Sequence, residues 1–239
     1  MMQYAINQKE EEIKERPLIG KQVYCSRYEN GTKLAGFRNP HITMGNVLVV
    51  ENVYKEEFNT YFNLTKNIVI SNAYDNDIMD RLQGQDYDSD TLLLCSEPIL
   101  VKAAEACQND NFRVPINGIK TKNKERKYTI EDEVDIDHKI AQNKIGEVVN
   151  LSQVLNSYYW HYDNMNDDGK YDGLLKELYT QISILSSFSQ IEIDRAKKDY
   201  GININEFVKK LGEREYNGEL LLRQDIAYPD RNELSDDDK

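Results

Sequence analysis

Apolar positions between residues 20 and 96 come in short runs broken by polar loops. "KQVYCSRY" (21–28), "NVLVVEN" (46–52) and "NIVISN" (67–72) are rich in β-branched residues and predict strands. "KLAGFRNPHITMG" predicts a short strand and a constrained loop, and the Asn30-Gly31 pair before it is a turn signal. "TLLLCS" (91–96) is apolar without alternation, which predicts a buried strand. "YKEEFNTYF" and "DNDIMDRL" predict short helices, the second broken by Gly84. Ser96-Glu97-Pro98 predicts a helix through about Gln108, with Ser96 as cap and Pro98 in the first turn. Residues 1–16 predict a further helix, ended by Pro17.

Past residue 130 the pattern changes. Ile145, Val148, Val149, Leu155, Tyr158 and Tyr159 recur near helical spacing, as do Leu174, Leu178, Ile182, Leu185 and Phe188. The polar stretch "HYDNMNDDGKYDG" separates them, so a helix–loop–helix pair is expected, packed on the strand-rich part. "INEFVKKLG" (204–212) adds a short helix. Short strands with irregular loops fit a small barrel better than a βαβ sheet. The expected class is α+β. The expected organisation is an N-terminal helix (1–19), a barrel (20–110), a helical extension (111–212) and a tail (213–239) whose acidic end is disordered.

Charge narrows the function. With 42 acidic against 30 basic residues the formal net charge is −12, the wrong sign for coating nucleic acid through the whole surface. A local basic groove or a metal-neutralised acidic site remains compatible with it. Cys25, Cys95 and Cys107 form no C-x-x-C pair, and their odd number points to reduced thiols in a cytoplasmic compartment. No apolar run approaches the ~18 residues of a membrane span, and the N-terminus has no apolar signal core.

The chemistry gathers in "RLQGQDYDSDTLLL" (81–94). Asp86, Asp88 and Asp90 occupy alternate positions and repel one another, so water or a cation must offset that repulsion. A solvated acidic turn is one reading. A calcium loop is another: the aspartates fall at positions 1, 3 and 5 and Glu97 at 12, but Thr91 stands where the sharp turn needs Gly. The third is a catalytic Mg²⁺ site, in which three carboxylates hold a hard cation and leave positions open for phosphate oxygens. The residues alone do not choose among the three.

Three stretches resemble the catalytic barrel of two-barrel RNA polymerases. That group includes the largest subunit of cellular RNA polymerase, the RNA-silencing polymerases of eukaryotes and single-chain phage enzymes. "FRNPH" (37–41) is similar to the family's Arg-x-Pro segment, and "QGQDYDSD" (83–90) to its D-x-D-G-D signature. "IGEVVNLSQVLNS" (145–157) and "LSSFSQIEIDRAKK" (185–198) resemble the helical motifs that follow the barrel. The resemblance covers roughly residues 20–200. It implies a double-psi β-barrel with a helical C-terminal extension, and Asp86, Asp88 and Asp90 as catalytic ligands of Mg²⁺, for which Mn²⁺ can substitute. It implies that Arg38 binds the nucleotide; the plainer reading of Arg38 is a loop-stabilising arginine. Nucleoside triphosphates and a nucleic acid template are the implied partners, with no membrane.

Two departures stand out. Ser89 replaces the signature's glycine, a residue that admits positive φ. The family's first barrel, which supplies phosphate-binding lysines, has no counterpart upstream of residue 20. The expectation is therefore a fragment, split subunit or degenerate relative: the catalytic-barrel portion of an RNA polymerase, inactive without a second barrel chain or domain. The alternative is a non-catalytic barrel, derived from such a polymerase, that binds a metal or nucleic acid.

Other residues carry two readings each. Asn39 and Pro40 shape their loop, and His41 is exposed or substrate-adjacent. The basic island "IKTKNKERK" (119–127) is a solvated loop or a phosphate grip. Lys197 and Lys198 pair with nearby acids or contact template. Tyr158, Tyr159, Trp160 and Tyr162 form a packed helix end or stack on bases. Asp75, Asp77 and Asp80 read as helix-flanking acids.

Overall fold

A computed structural model describes residues 17–109, 112–121, 125–141, 144–196, 200–216 and 219–220. The helix expected over 1–16, Lys197, Lys198 and the acidic tail lie outside the described residues. The architecture is α+β, in two compact units, Met1–Val114 and Pro115–Lys239.

The first unit is built on a mixed five-stranded sheet. Its strands are β1 (Gln22–Tyr24), β2 (Lys33–Phe37), β3 (Leu48–Asn52), β4 (Ile70–Ser71) and β5 (Leu93–Cys95), in the order β4-β1-β3-β2-β5. β1 runs parallel to β3, with Gln22 opposite Glu51, and the other pairings are antiparallel. Alternation along β2 and β3 divides their side chains between the two faces. Leu34, Leu48 and Val50 pack with Ile78 and Leu82, which belong to α2 (Ile78–Arg81) and its C-cap. Ala35, Val47, Phe37 and Val49 face Val101, Ala104 and Cys107 of α3 (Pro98–Asn109). A third cluster joins Leu18 and Tyr24 to Phe58 of α1 (Glu56–Tyr61).

The predicted elements appear in order, several of them shortened. The strand expected over 21–28 is three residues and that over 67–72 is two. Two expectations are corrected. β5 is an edge strand, paired among the described residues to β2, and it is not buried: Leu93 is 63% exposed. An uninterrupted Leu run reports hydrophobicity; burial depends on what packs against it. Ser96 does not cap α3 either. The Val101 N–H reaches the Glu97 carbonyl at 3.0 Å, which makes Glu97 the cap position, with Pro98 first in the helix.

The second unit contains α4 (Ile130–Ala141), α5 (Ile145–Asp163), α6 (Asp172–Ile193) and α7 (Ile204–Gly212). Val148, Leu155 and Tyr158 of α5 and Leu178, Ile182 and Leu185 of α6 are buried, as their spacing predicts. Phe188 meets Phe207 of α7 edge-on at 4.6 Å. The Glu192 carboxylate, fully buried, accepts the Lys144 N–H at the start of α5 at 2.7 Å and pairs with Arg195. Among the described residues, no helix is long and apolar enough to cross a membrane.

Candidate metal centre

The acidic loop leaves α2 through an anchored stem. Ile78 and Leu82 are buried to 1% exposure, so the helix end is held by the core. Gln83 and Gly84 then take φ of 62° and 68°, turning the chain away from the helical path. The Gln85 N–H still reaches back to the Met79 carbonyl at 3.1 Å. Only three residues separate the stem's last buried position, Gln85, from Ser89, and the loop must curl back to feed β5.

That curl brings the aspartates together. Asp86, Asp88 and Asp90 each offer a carboxylate oxygen, and these atoms lie within 4.8 Å of one another. Asp88 is exposed; Asp86 and Asp90 are half-buried. The Asp86 N–H donates to Asp90 Oδ2 at 3.0 Å, and the Asp88 N–H to Asp86 Oδ1 at 3.1 Å. Between Asp88 and Asp90, Ser89 holds φ at 100°, the left-handed side that glycine enters freely. Tyr87 points its hydroxyl across to Ser71 of β4, 3.4 Å away.

Arg38 closes the loop from the far end of β2. Its Nη2 donates to Asp90 Oδ1 at 2.6 Å, while Nη1 donates to the carbonyls of Leu82 at 3.0 Å and Gln83 at 3.3 Å. One planar guanidinium thus ties the stem to the last aspartate. The side chains of Arg38 and Asp90 are only 10% and 20% exposed. These bonds are those of a loop-stabilising arginine.

The donor set suits a hard divalent cation, since every candidate ligand is a carboxylate oxygen. Around Mg²⁺ at ~2.1 Å, neighbouring oxygens sit ~3 Å and opposite ones ~4.2 Å apart. A spread of up to 4.8 Å is slightly wider than that, within reach of side-chain rotation. Arg38 is paired with Asp90, the last of the three clustered carboxylates. The calcium-loop reading loses its twelfth ligand: Glu97 heads α3 and is not among the clustered carboxylates.

The other singled-out residues fall elsewhere. Asp77 pairs with Lys21 and Arg81, each at 2.8 Å, as a helix-flanking acid should. Burial pushes its carboxyl up, but those two cations outweigh burial and hold it below the usual range. Asp80 is raised by burial and by Asp77. His41 is half-buried with its ring edge-on to Phe37 at 5.9 Å, and burial lowers its pKa. Tyr158 is buried and Tyr159 packs on Trp160 and Tyr179, which matches a packed helix end. Arg126 of the basic island bonds Asp135 at 2.5 Å. The loop 164–171 ties itself together, with Asn166 accepting the Tyr171 N–H and donating to Asp172, both at 2.7 Å.

The family model for RNA dependent RNA polymerase matches residues 14–217, well over half the chain, with the aspartate loop inside the match. The chain belongs to the RNA-dependent RNA polymerase family. Neither a curated protein nor a solved structure matches it. The resemblance read from "FRNPH", "QGQDYDSD" and the two helical motifs is therefore borne out, and the Asp triad lies inside the matched segment. Sequence reasoning did not find the Arg38–Asp90 pair. It paired neither residue with the other, and no local pattern links positions 52 apart.

Proposed function

We propose that this chain carries the magnesium-binding catalytic region of an RNA polymerase that copies an RNA template from nucleoside triphosphates. The observation that carries the reading is the convergence of Asp86, Asp88 and Asp90 inside a segment matched to that family. These three residues would hold Mg²⁺, or Mn²⁺ in its place. When bound, the ion would supply a Lewis acid for nucleotidyl transfer, in which a 3′-hydroxyl attacks the α-phosphate of the triphosphate and pyrophosphate leaves. The chain's own contribution is positioning and charge. Asp90 is oriented by Arg38, Asp86 is oriented by its backbone bond to Asp90, and exposed Asp88 meets solvent and substrate. In the assembled enzyme we assign the Arg38 guanidinium to the incoming nucleotide as well, the role the resemblance implies.

The sheet unit is, in this proposal, a double-psi β-barrel. A second barrel, on another chain or segment, supplies the lysines that grip substrate phosphates. Calorimetry with Mn²⁺, alone and with a nucleoside triphosphate, tests the metal assignment. One site is expected in wild type, tighter with triphosphate and absent in Asp88→Asn. Equal binding by the two proteins would overturn the assignment. Primer extension by the purified chain on an RNA template is expected to fail, and turnover at ordinary polymerase rates would refute the need for a second barrel.

A further inference from the structure

We infer that Asn46 is a positioning residue for the aspartate loop, setting the geometry of the triad through Gln83 and Arg38; this rests on the metal reading above. Asn46 ends the 3-10 turn Met44–Asn46 that leads into β3, and it is 1% exposed. Its Oδ1 accepts from the Thr43 N–H at 3.1 Å, the Thr43 hydroxyl at 2.9 Å and Gln83 Nε2 at 3.1 Å. Its Nδ2 donates to the Arg81 carbonyl at 3.1 Å. The carboxamide therefore grips the chain on both sides of Leu82, where α2 ends and the loop begins. A carboxamide offers an acceptor and a donor side by side, which suits it to hold both stretches of the chain at once.

The grip is reciprocal and leaves little slack. Arg81 Nη1 donates back to the Gly45 carbonyl at 3.0 Å. Gly45 itself is pressed against the chain: a Cβ there would lie 2.2 Å from the Arg113 carbonyl oxygen. The turn is thus fixed between Arg113 on one side and the end of α2 on the other. Gln83, 2% exposed and at φ 62°, passes the constraint on, because its carbonyl is one of those Arg38 holds while it reaches Asp90. Hydrogen bonds run unbroken from Asn46 through Gln83 and Arg38 to Asp90. Ligand sets tolerate displacements of only about half an ångström; losing a group bonded directly to a ligand typically weakens metal binding about 10–100-fold, and Asn46, further out through Gln83 and Arg38, takes the lower end of that range.

Asn52 is the comparison, a buried asparagine that stabilises the fold without touching the loop. It lies at the other end of β3, is also 1% exposed, and grips backbone in the same way. Its Oδ1 accepts the Cys25 N–H at 2.8 Å, and its Nδ2 donates to the Tyr28 and Glu29 carbonyls at 2.8 and 3.2 Å. None of these partners belongs to the aspartate loop.

The test is Mn²⁺ affinity, read by electron paramagnetic resonance of free ion, in wild type, Asn46→Ala, Asn52→Ala and Asp88→Asn, well below each melting temperature. Both asparagine variants should melt earlier. Asn46→Ala should bind Mn²⁺ about tenfold more weakly, Asn52→Ala within about twofold of wild type, and Asp88→Asn not measurably. Gln83→Met cuts the link on the loop side only and should weaken binding like Asn46→Ala, which keeps the test open if Asn46→Ala does not fold. If Asp88→Asn abolishes binding while Asn46→Ala and Gln83→Met bind like Asn52→Ala, the positioning role is refuted and the metal site stands. If Asp88→Asn binds like wild type, the metal reading fails and this inference with it.

Discussion

Ser89→Gly should stabilise the first unit, because Ser89 holds φ at 100° between two of the clustered aspartates. At that angle the Cβ of an L-residue crowds its own backbone, at a cost of about 1–3 kcal/mol. Glycine removes the crowding but makes the unfolded chain more flexible, which offsets about 0.5–1 kcal/mol. The expected net gain is about 1 kcal/mol, or roughly 4 °C for a unit of this size. Ser89→Ala is the control: it removes the hydroxyl and keeps the Cβ, so it should melt within about 1 °C of wild type. The chain's single tryptophan, Trp160, lies in the second unit and is a poor reporter here. Amide hydrogen exchange of β2 and β3 peptides, followed through urea titration, reports on the first unit directly. If Ser89→Gly exchanges as fast as Ser89→Ala or faster, the backbone is not strained at this position and the reasoning is wrong. The bend itself is required whichever residue sits there, since it turns Asp88 and Asp90 toward Asp86.

Three further outcomes are expected. Arg38→Lys replaces a planar fork by a point charge that cannot serve Asp90 and the two stem carbonyls together; urea unfolding should show a loss of about 1–3 kcal/mol for the two stem bonds, and a loss below about 0.5 kcal/mol would exclude the clamp. Asp77 has its folded pKa held below the ordinary value, so its contribution to stability is complete above about pH 4 and is lost as pH falls through the folded pKa. Between pH 5 and pH 2, Asp77→Asn should therefore lose less stability than wild type, and parallel acid melts would contradict the assignment. Glu192→Ala strands Arg195 and the Lys144 N–H; Trp160 fluorescence should report a helix unit weaker by about 3–5 kcal/mol, and an unchanged midpoint would rule out a supporting role for this carboxylate.

The helix pair was legible in the sequence because a 3.6-residue period repeated over some twenty positions is redundant. Val148, Leu155, Leu178, Ile182 and Leu185 all point inward, and no single misread position would have hidden the pattern. Short strands carry no such redundancy. β4 is two residues long and β1 three, so the limits of each depend on where a partner strand stops. The Leu run of β5 marked a strand, but its apolar side chains were not the evidence needed to place it. Leu93, at the start of β5, is exposed although it belongs to the Leu run. Likewise the Ser96-Glu97-Pro98 stretch marked a helix start, and one residue of register separated the expected cap from the observed one.

By itself the sequence determined the chemistry of the loop: three carboxylates within five residues, a serine where glycine was expected, and flanks that resemble a polymerase signature. Those are properties of composition and spacing, and they survive without a fold. Only the tertiary structure decided what the loop is attached to. Arg38 lies 52 residues from Asp90, and Asn46 lies 37 from Gln83. Such contacts exist because β2, β3 and α2 share one core, and that packing sets Arg38 beside Asp90 and Asn46 beside the stem of the loop. A hydrogen bond depends on distance and direction in space, whereas the sequence records only order along the chain.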